Sequence, residues 1–302
     1  MNPSDQHIRI SLPAQTLELI SNDGTLVRRY PVSTAKNGAG EMRGSYCTPT
    51  GHHIVRAKIG DGMPIRTVFV GRRPTGEIWT PELHASEPGR DWMLTRILWL
   101  SGTERGINRL GRVDTMRRYI YIHGSADTAV MGIPGSHGCI RMHNEDVLEL
   151  FDLVDAGTPV NIVQFSVEDS NWSELQSSAK PVREAVFVQE QQVPRDMEWD
   201  GHDAPSRHVI ARNAAGFPIG TGRLLPDGHI GRMAVLPDWR HHDVGSAIFE
   251  RLLQLAKANR MSKLELHAQV HAEGFYTRYG FAVEGPQFME AGIRHVRMTR
   301  TL

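Results

Sequence analysis

The stretch Tyr119-Ile120-Tyr121-Ile122-His123-Gly124-Ser125, followed by a glycine-rich loop and then Ser136-His137-Gly138-Cys139-Ile140-Arg141, decides how the first half of this chain reads. Aromatic and β-branched residues make Tyr119 to His123 a strand. The glycines then turn the chain into a loop that ends at Cys139. Beyond it the period changes. Asn144 reads as a helix N-cap, and Val147, Leu148, Phe151 and Val154 recur at helical spacing until Gly157 and Pro159 stop the helix.

Upstream, Ile8, Ile10 and Leu12 alternate, as do Leu17 and Leu19. Asn22-Asp23-Gly24 supplies a turn before Leu26, Tyr30 and Val32, so the opening reads as an antiparallel meander. Turns at Thr48-Pro49-Thr50-Gly51 and Gly60-Asp61-Gly62 bound short strands at Ile54-Val55 and Val68-Phe69-Val70. Val160 to Val163 closes the half as a strand. Downstream of Gln164 the expected order is a helix (172–189), a strand (208–211), its hairpin partner (219–225), a strand (230–235), a helix (243–259) and a strand (263–268). A short helix (274–279) and two closing strands follow. The fold class is α+β in two domains: a mostly-β domain over 1–163 and a mixed α/β domain over 164–302.

A thiol attacks a peptide carbonyl only when a base removes its proton and amides face the oxyanion. Cys139 follows Gly138, where the backbone can approach a ligand closely, so the Gly138 and Cys139 amides are candidates for that hole, with His123 as the base. Singly, each residue reads more plainly as a packed thiol and a structural imidazole. The combination is far more specific.

This constellation, with the Thr48-Pro49-Thr50-Gly51 turn and the helix from Asn144, resembles the L,D-transpeptidase catalytic domain, also called YkuD-like, over about Gln6 to Val163. The resemblance implies Cys139 as nucleophile, His123 as general base, the Gly124 carbonyl orienting the imidazole, His137 supporting the loop, and Ser136 in the substrate-binding segment. Arg141 stands where the commoner motif has Asn, and reads as a guanidinium for a substrate carboxylate. The implied substrate is a murein tetrapeptide, cleaved between meso-diaminopimelate and the terminal D-Ala through a thioester. Water as acceptor makes an L,D-carboxypeptidase; an amine makes a crosslinking transpeptidase.

In the second half, Met233-Ala234-Val235 lead through Arg240-His241-His242-Asp243-Val244-Gly245-Ser246-Ala247 into a helix with an apolar stripe of Val244, Ile248, Leu252 and Leu255. Helix N-termini of this form hold phosphates. The segment resembles the acyl-CoA loop of the GNAT N-acetyltransferases. Arg240 and Gly245 match that loop, whereas Asp243 replaces its first glycine and also reads as an N-cap. Phe275-Tyr276-Thr277-Arg278-Tyr279-Gly280-Phe281 looks like the family's Phe-Tyr-x-x-x-Gly-Phe signature. The resemblance implies acetyl-CoA as cofactor and Tyr276 as the proton donor to the departing thiolate. Glu190, Glu198, His267 and His271 are all candidates for the base.

The chain has 302 residues, and its 34 Lys plus Arg balance 34 Asp plus Glu, which argues against nucleic-acid and anionic-membrane partners. The polar start lacks the apolar run of a signal peptide, and two cysteines fit a reducing compartment, so a cytoplasmic enzyme acting on murein peptides is expected. An exported crosslinking enzyme and a non-catalytic acyl-CoA-binding second domain are the alternatives. No His, Cys and carboxylate group has metal-ligand spacing, and His52 and His53 read as surface residues.

Overall fold

The computed structural model describes residues 5–302, and Met1 to Ser4, counted above with the first domain, lie outside the described residues. Two compact units result. One runs to Ile20 and resumes from Val27 to Gln164; the other takes Ser21–Leu26 and Phe165–Leu302.

The first unit is built on β1 (Gln6–Ser11), β2 (Thr16–Ser21), β3 (Leu26–Pro31), β4 (Gly51–Ile59), β5 (Thr67–Val70), β6 (Arg73–Ile78), α1 (Pro81–Ser86), β7 (Met93–Gly102), β8 (Tyr121–Gly124), β9 (Ile140–Met142), α2 (Asn144–Leu153) and β10 (Pro159–Val163). Its sheet runs β3-β2-β1-β10-β4-β7-β5-β6, and β8 bridges β7 and β9. The alternation seen in the sequence sends Ile8, Ile10, Leu17 and Leu19 into one core. There they meet Leu98, Ile122 and Ile140 from the sheet and Val147, Leu150 and Phe151 from α2.

Two readings change here. Asn144 is the first residue of α2 rather than its cap; the cap position is His143, which makes no side-chain capping bond. His53 is buried rather than superficial, with Nδ1 2.9 Å from the Gly51 carbonyl and Nε2 3.1 Å from the Thr115 hydroxyl.

The second unit opens with an unanticipated strand, β11 (Phe165–Asn171), which pairs along its whole length with a later one. Then come α3 (Trp172–Arg183), α4 (Arg195–Glu198), β12 (Arg207–Asn213), β13 (Pro218–Leu224), β14 (His229–Val235), α5 (Val244–Ala258), β15 (Lys263–Gln269), α6 (Glu273–Thr277), β16 (Ala282–Val283), β17 (Phe288–Glu290) and β18 (Ile293–Thr301). The helix expected to reach Gln189 is α-helical only to Arg183 and continues as wide π-helical turns over Glu184–Glu190. Pro181, just upstream, already removes one backbone donor. The sheet order is β11-β12-β13-β14-β15-β18-β16, with β17 on β18. α5 buries Val244, Ile248 and Leu252 and packs on β12, β13 and β14.

β14 and β15 are parallel but pair only at His229↔Glu265 and Ile230↔Leu266. Beyond Ile230 they separate. β14 is also irregular there: its register with β13 shifts, and Arg232 has φ 52°. The resulting cleft has a volume of about 680 Å³.

A buried ionic network braces one side of it. Arg183 bonds Glu198 and Asp203 (2.7 Å to the latter), Arg223 bonds Asp203 and Asp200 at 2.9 and 2.7 Å, and Arg232 bonds Glu198 and Asp200 at 2.9 and 2.7 Å. Arg183 is 0% exposed. Removing it leaves Glu198 to Arg232 alone and Asp203 to Arg223 alone, so Arg183→Met is expected to cost about 1.5–3 kcal/mol in urea denaturation. A change below about 1 kcal/mol would show the network to be dispensable.

Candidate active sites

β8 fixes the first site through its two neighbours. Ile97 of β7 stands opposite His123, and on the other side Ile122 pairs with Ile140 and His123 with Arg141. Ile122 and Ile140 point into the core beneath α2, so the alternate residues, Tyr121 and His123 on β8 and Cys139 and Arg141 beside them, share the opposite face. There Cys139 packs with Phe69, Ile97 and Tyr121. Arg72 caps this face, its guanidinium 4.3 Å over the Trp99 ring and 2.8 Å from the Tyr121 hydroxyl.

His123 is buried, with Nδ1 2.8 Å from the Gly124 carbonyl. A carbonyl only accepts, so Nδ1 carries the proton and Nε2 the lone pair. Burial lowers the His123 pKa below its ordinary value, against the opposing pull of the Gly124 carbonyl. Burial pushes the Cys139 thiol up to about 12, although the Tyr121 amide and the charges of Arg141 and Arg118 pull the other way. The resting pair is therefore neutral thiol and neutral imidazole.

The loop carrying Cys139 is held by residues that the motif only partly announced. Thr48, fully buried, accepts from the Ala35 amide at 3.0 Å and donates to the Gly138 carbonyl at 3.0 Å. Gly138 has φ 126°, and a Cβ there would come within 3.1 Å of Ile120 and 3.2 Å of the Cys47 carbonyl. A Cβ on Gly124 would meet Asn144 Oδ1 at 2.6 Å. The Asn144 amide donates to the Ser125 carbonyl at 2.9 Å and its oxygen accepts from Thr95 at 2.5 Å, so it braces the strand end that bears His123.

Three expected roles are revised by this geometry. Ser136 is 1% exposed; its hydroxyl donates to the Cys139 carbonyl at 2.5 Å and accepts from the Gly138 amide at 3.2 Å, so it shapes the loop instead of facing substrate. The same bond occupies the Gly138 amide, which is not aimed at an oxyanion. The His137 side chain is 69% exposed, touches the Tyr46 ring edge-on at 6.0 Å and lies 4.0 Å from the Asp91 carboxylate, so its contacts are with side chains at the surface of the loop. Arg141 lies on the site face but bonds Asp91 at 2.7 Å and the Gly135 carbonyl at 3.2 Å. Asp91 and the half-buried Arg118, which donates to the Gly40 and Cys47 carbonyls at 2.9 and 2.6 Å, are site residues without a sequence signal.

In the second unit, Met233, Val235, Arg240 and Tyr276 line the cleft, whereas Ala234 turns into the core against Val182 and Val186. α5 begins after Asp243, which adopts φ 58° and makes no side-chain capping bond. The N-cap expectation for its carboxylate is thus corrected: this is the left-handed backbone that glycine favours and Asp tolerates. The first bond into the helix is donated by the Ala247 amide to the Asp243 carbonyl, so the amides of Val244, Gly245 and Ser246 precede the ladder. Val244 and Ala247 side chains are buried, and His241 and His242 are exposed. Arg240 is not open to a phosphate: it holds Glu190 through two bonds of 2.8 and 2.6 Å and the Val235 carbonyl at 3.1 Å.

Tyr276 lies between Phe249 and Phe275, with ring centroids 5.1 and 5.0 Å away, and burial pushes its hydroxyl up to about 12. Tyr279 is structural, its hydroxyl donating to Glu250 at 2.9 Å. Of the base candidates, Glu190 is tied to Arg240, which lowers its pKa, and Glu198 belongs to the buried network. His267 and His271 line the cleft, joined by His229, which the sequence did not single out. Burial, and then the charge of His267, lower the His229 pKa.

Together these features define a chain carrying two acyl-transfer modules. It belongs to the L,D-transpeptidase family, whose catalytic-domain model (YkuD) matches residues 5–162, and its second unit is an acetyltransferase (GNAT) domain, matched over residues 174–302. A Bacillus subtilis protein named as an acetyltransferase is 35% identical over 129 residues, covering 41% of this chain and 87% of its own. The Salmonella typhimurium protein ErfK/SrfK, named as an L,D-transpeptidase, is 32% identical over 202 residues, 59% of this chain. The chain spans 64% of that relative's length. A crystal structure of an acyl-CoA N-acyltransferase from Pseudomonas aeruginosa shares 29% identity over 45% of this chain and 99% of its own, with a TM-score of 0.42. Among the described residues, no helix is long and apolar enough to cross a membrane.

Thr48 carries the most consequential buried bond of the Cys139 loop. Thr48→Val leaves the Ala35 amide and the Gly138 carbonyl without it and should cost about 1–3 kcal/mol in thermal unfolding, with slower alkylation chemistry at Cys139 reporting the displaced loop. Unchanged melting and alkylation would refute that role.

Proposed function

We propose that the first domain is a cysteine L,D-carboxypeptidase that removes the terminal D-Ala from murein tetrapeptides, and that the second is an acetyl-CoA-dependent N-acetyltransferase. The observation that carries the first reading is the shared sheet face of His123 and Cys139, with the imidazole neutral and its Nδ1 committed to Gly124. Cys139 Sγ attacks the carbonyl of the bond to D-Ala while His123 Nε2 takes the thiol proton. The same proton passes to the leaving amine. A thioester remains, and water attacks it with His123 again as base. Charge developing on sulfur meets the Tyr121 amide and the nearby guanidinium groups of Arg118 and Arg141. Release of Asp91 by Arg141 would offer its guanidinium to a substrate carboxylate.

Hydrolysis in the cytoplasm, during murein recycling, is favoured over crosslinking. A domain of a family that draws on acetyl-CoA is covalently joined to the first, and acyl-CoA is a resource of the cell interior. Both cysteines are free thiols, in keeping with a reducing compartment.

For the second domain, the diverging β14 and β15 leave room for a thioester arm, and the Val244, Gly245 and Ser246 amides offer donors to a pyrophosphate. Acetyl-CoA, when bound, supplies the activated acetyl group. Tyr276 keeps its proton at neutral pH and so can donate it to a departing thiolate. With Glu190 and Glu198 tied to arginines, His271, which lines the cleft, is the favoured acceptor of the amine proton. Arg240 is predicted to leave Glu190 when phosphate is present.

Mass spectrometry of a murein tetrapeptide incubated with the protein should show loss of one D-Ala, with Cys139→Ala inert; an intact tetrapeptide, or undiminished cleavage by the variant, would overturn the assignment. His123 must be unprotonated to act, so kcat/KM should fall only as pH drops through its depressed pKa, which puts the acid limb below pH ~6.5. An acid limb above that value would contradict a buried base. Tyr276→Phe should lower kcat for acetyl transfer to an amino compound by about 10²–10⁴-fold while calorimetric acetyl-CoA binding persists. No acetyl-CoA binding by the unaltered protein would favour a domain without this activity.

A further inference from the structure

The sequence offers no metal-ligand spacing, yet the fold assembles ligands from two strands. His229 of β14 stands opposite Glu265 of β15, and His267 lies two residues along, on the same face. One ligand atom from each of the three lies within 4.8 Å of the others. The two imidazoles meet at right angles, their centroids 5.0 Å apart.

We propose that His229, Glu265 and His267 bind a divalent transition-metal ion of the zinc class, with Glu290 and Arg297 orienting the ligands. Glu290 Oε2 lies 3.0 Å from His267 Nδ1. The carboxylate can only accept, so His267 presents the Nε2 lone pair, and that atom is 3.9 Å from Glu265 Oε1. Glu265 is anchored through its other oxygen, which takes a 2.5 Å bond from Arg297, leaving Oε1 toward the imidazole. Phe288 packs edge-on against the His267 ring at 4.9 Å and limits its rotation. A carboxylate behind a ligating imidazole is the usual outer shell of a zinc histidine.

Two imidazoles and one carboxylate suit zinc, cobalt or nickel rather than magnesium or calcium, which prefer oxygen ligands throughout. His229 and His267 both face the cleft, so an ion can enter and a fourth position stays open to water or ligand. Tetrahedral ligands at about 2.0–2.1 Å sit about 3.3 Å apart, so closing on an ion requires only side-chain adjustment. The site stands independently of the acetyl-transfer reading, since its readout is the ion itself.

The test uses the full chain with Cys47→Ser and Cys139→Ser, which removes competing thiols, titrated with cobalt and with zinc against a chromophoric chelator. One equivalent should bind, cobalt giving the visible absorption of a four-coordinate site. His229→Ala and His267→Ala should abolish binding, and Glu290→Gln should weaken it about 10–100-fold. Matching far-ultraviolet dichroism certifies the folded state of each variant, and Glu290→Gln, at a half-exposed position, keeps the test open if a histidine variant unfolds. No binding beyond the chelator control, or binding undiminished by Glu290→Gln and by whichever histidine variants fold, would overturn the proposal.

Discussion

Everything in the first catalytic candidate depends on the parallel register that sets Ile122 against Ile140. Strand side chains alternate, so a slip of one residue would bury Cys139 under α2 and expose the two isoleucines. The register is enforced from both sides. On the core side, Ile122 and Ile140 are fully buried against Val147, Leu150 and Phe151. On the loop side, Thr48 and Ser136 hold the chain just before Cys139 through the Gly138 and Cys139 carbonyls.

The second domain solves a different problem, that of keeping two neighbouring strands apart. Parallel partners normally zip together, but β14 and β15 stop after Ile230. A local irregularity at Arg232 turns β14, and the guanidinium of that residue is claimed by Glu198 and Asp200. The opening is thus bounded by charges already satisfied within the protein. Tyr276 and the paired imidazoles of His229 and His267 also line it.

Much of this was legible in the amino-acid order. Alternation announced β1 and β2, and the helical period announced α2 and α5, because their apolar side chains gather toward a core. β11 escaped because only Phe165 in it is buried; its remaining side chains, Ser166 to Asn171, carry no alternation to detect. Cys139 and His123 were readable as types at a spacing, and Thr48 only as part of a turn. Its bond to Gly138 joins residues 90 positions apart. The pairing of Glu190 with Arg240 across 50 residues, the Asp91 bond to Arg141, and the approach of His229 to His267 are likewise products of tertiary structure. Ser136 and Asn144 were noticed for their types but assigned the wrong work, since hydroxyl and amide groups serve equally well toward solvent, substrate or the backbone behind them.

The protonated state of Cys139 has a bearing on durability. Peroxides and electrophiles react with thiolates, and cysteines tuned to low pKa are the ones first lost to oxidation. A sulfur kept neutral by its apolar surroundings, as Cys139 is, reacts more slowly with such agents than an exposed thiolate. Burial of this kind slows oxidation of the sulfur along with its other thiolate chemistry.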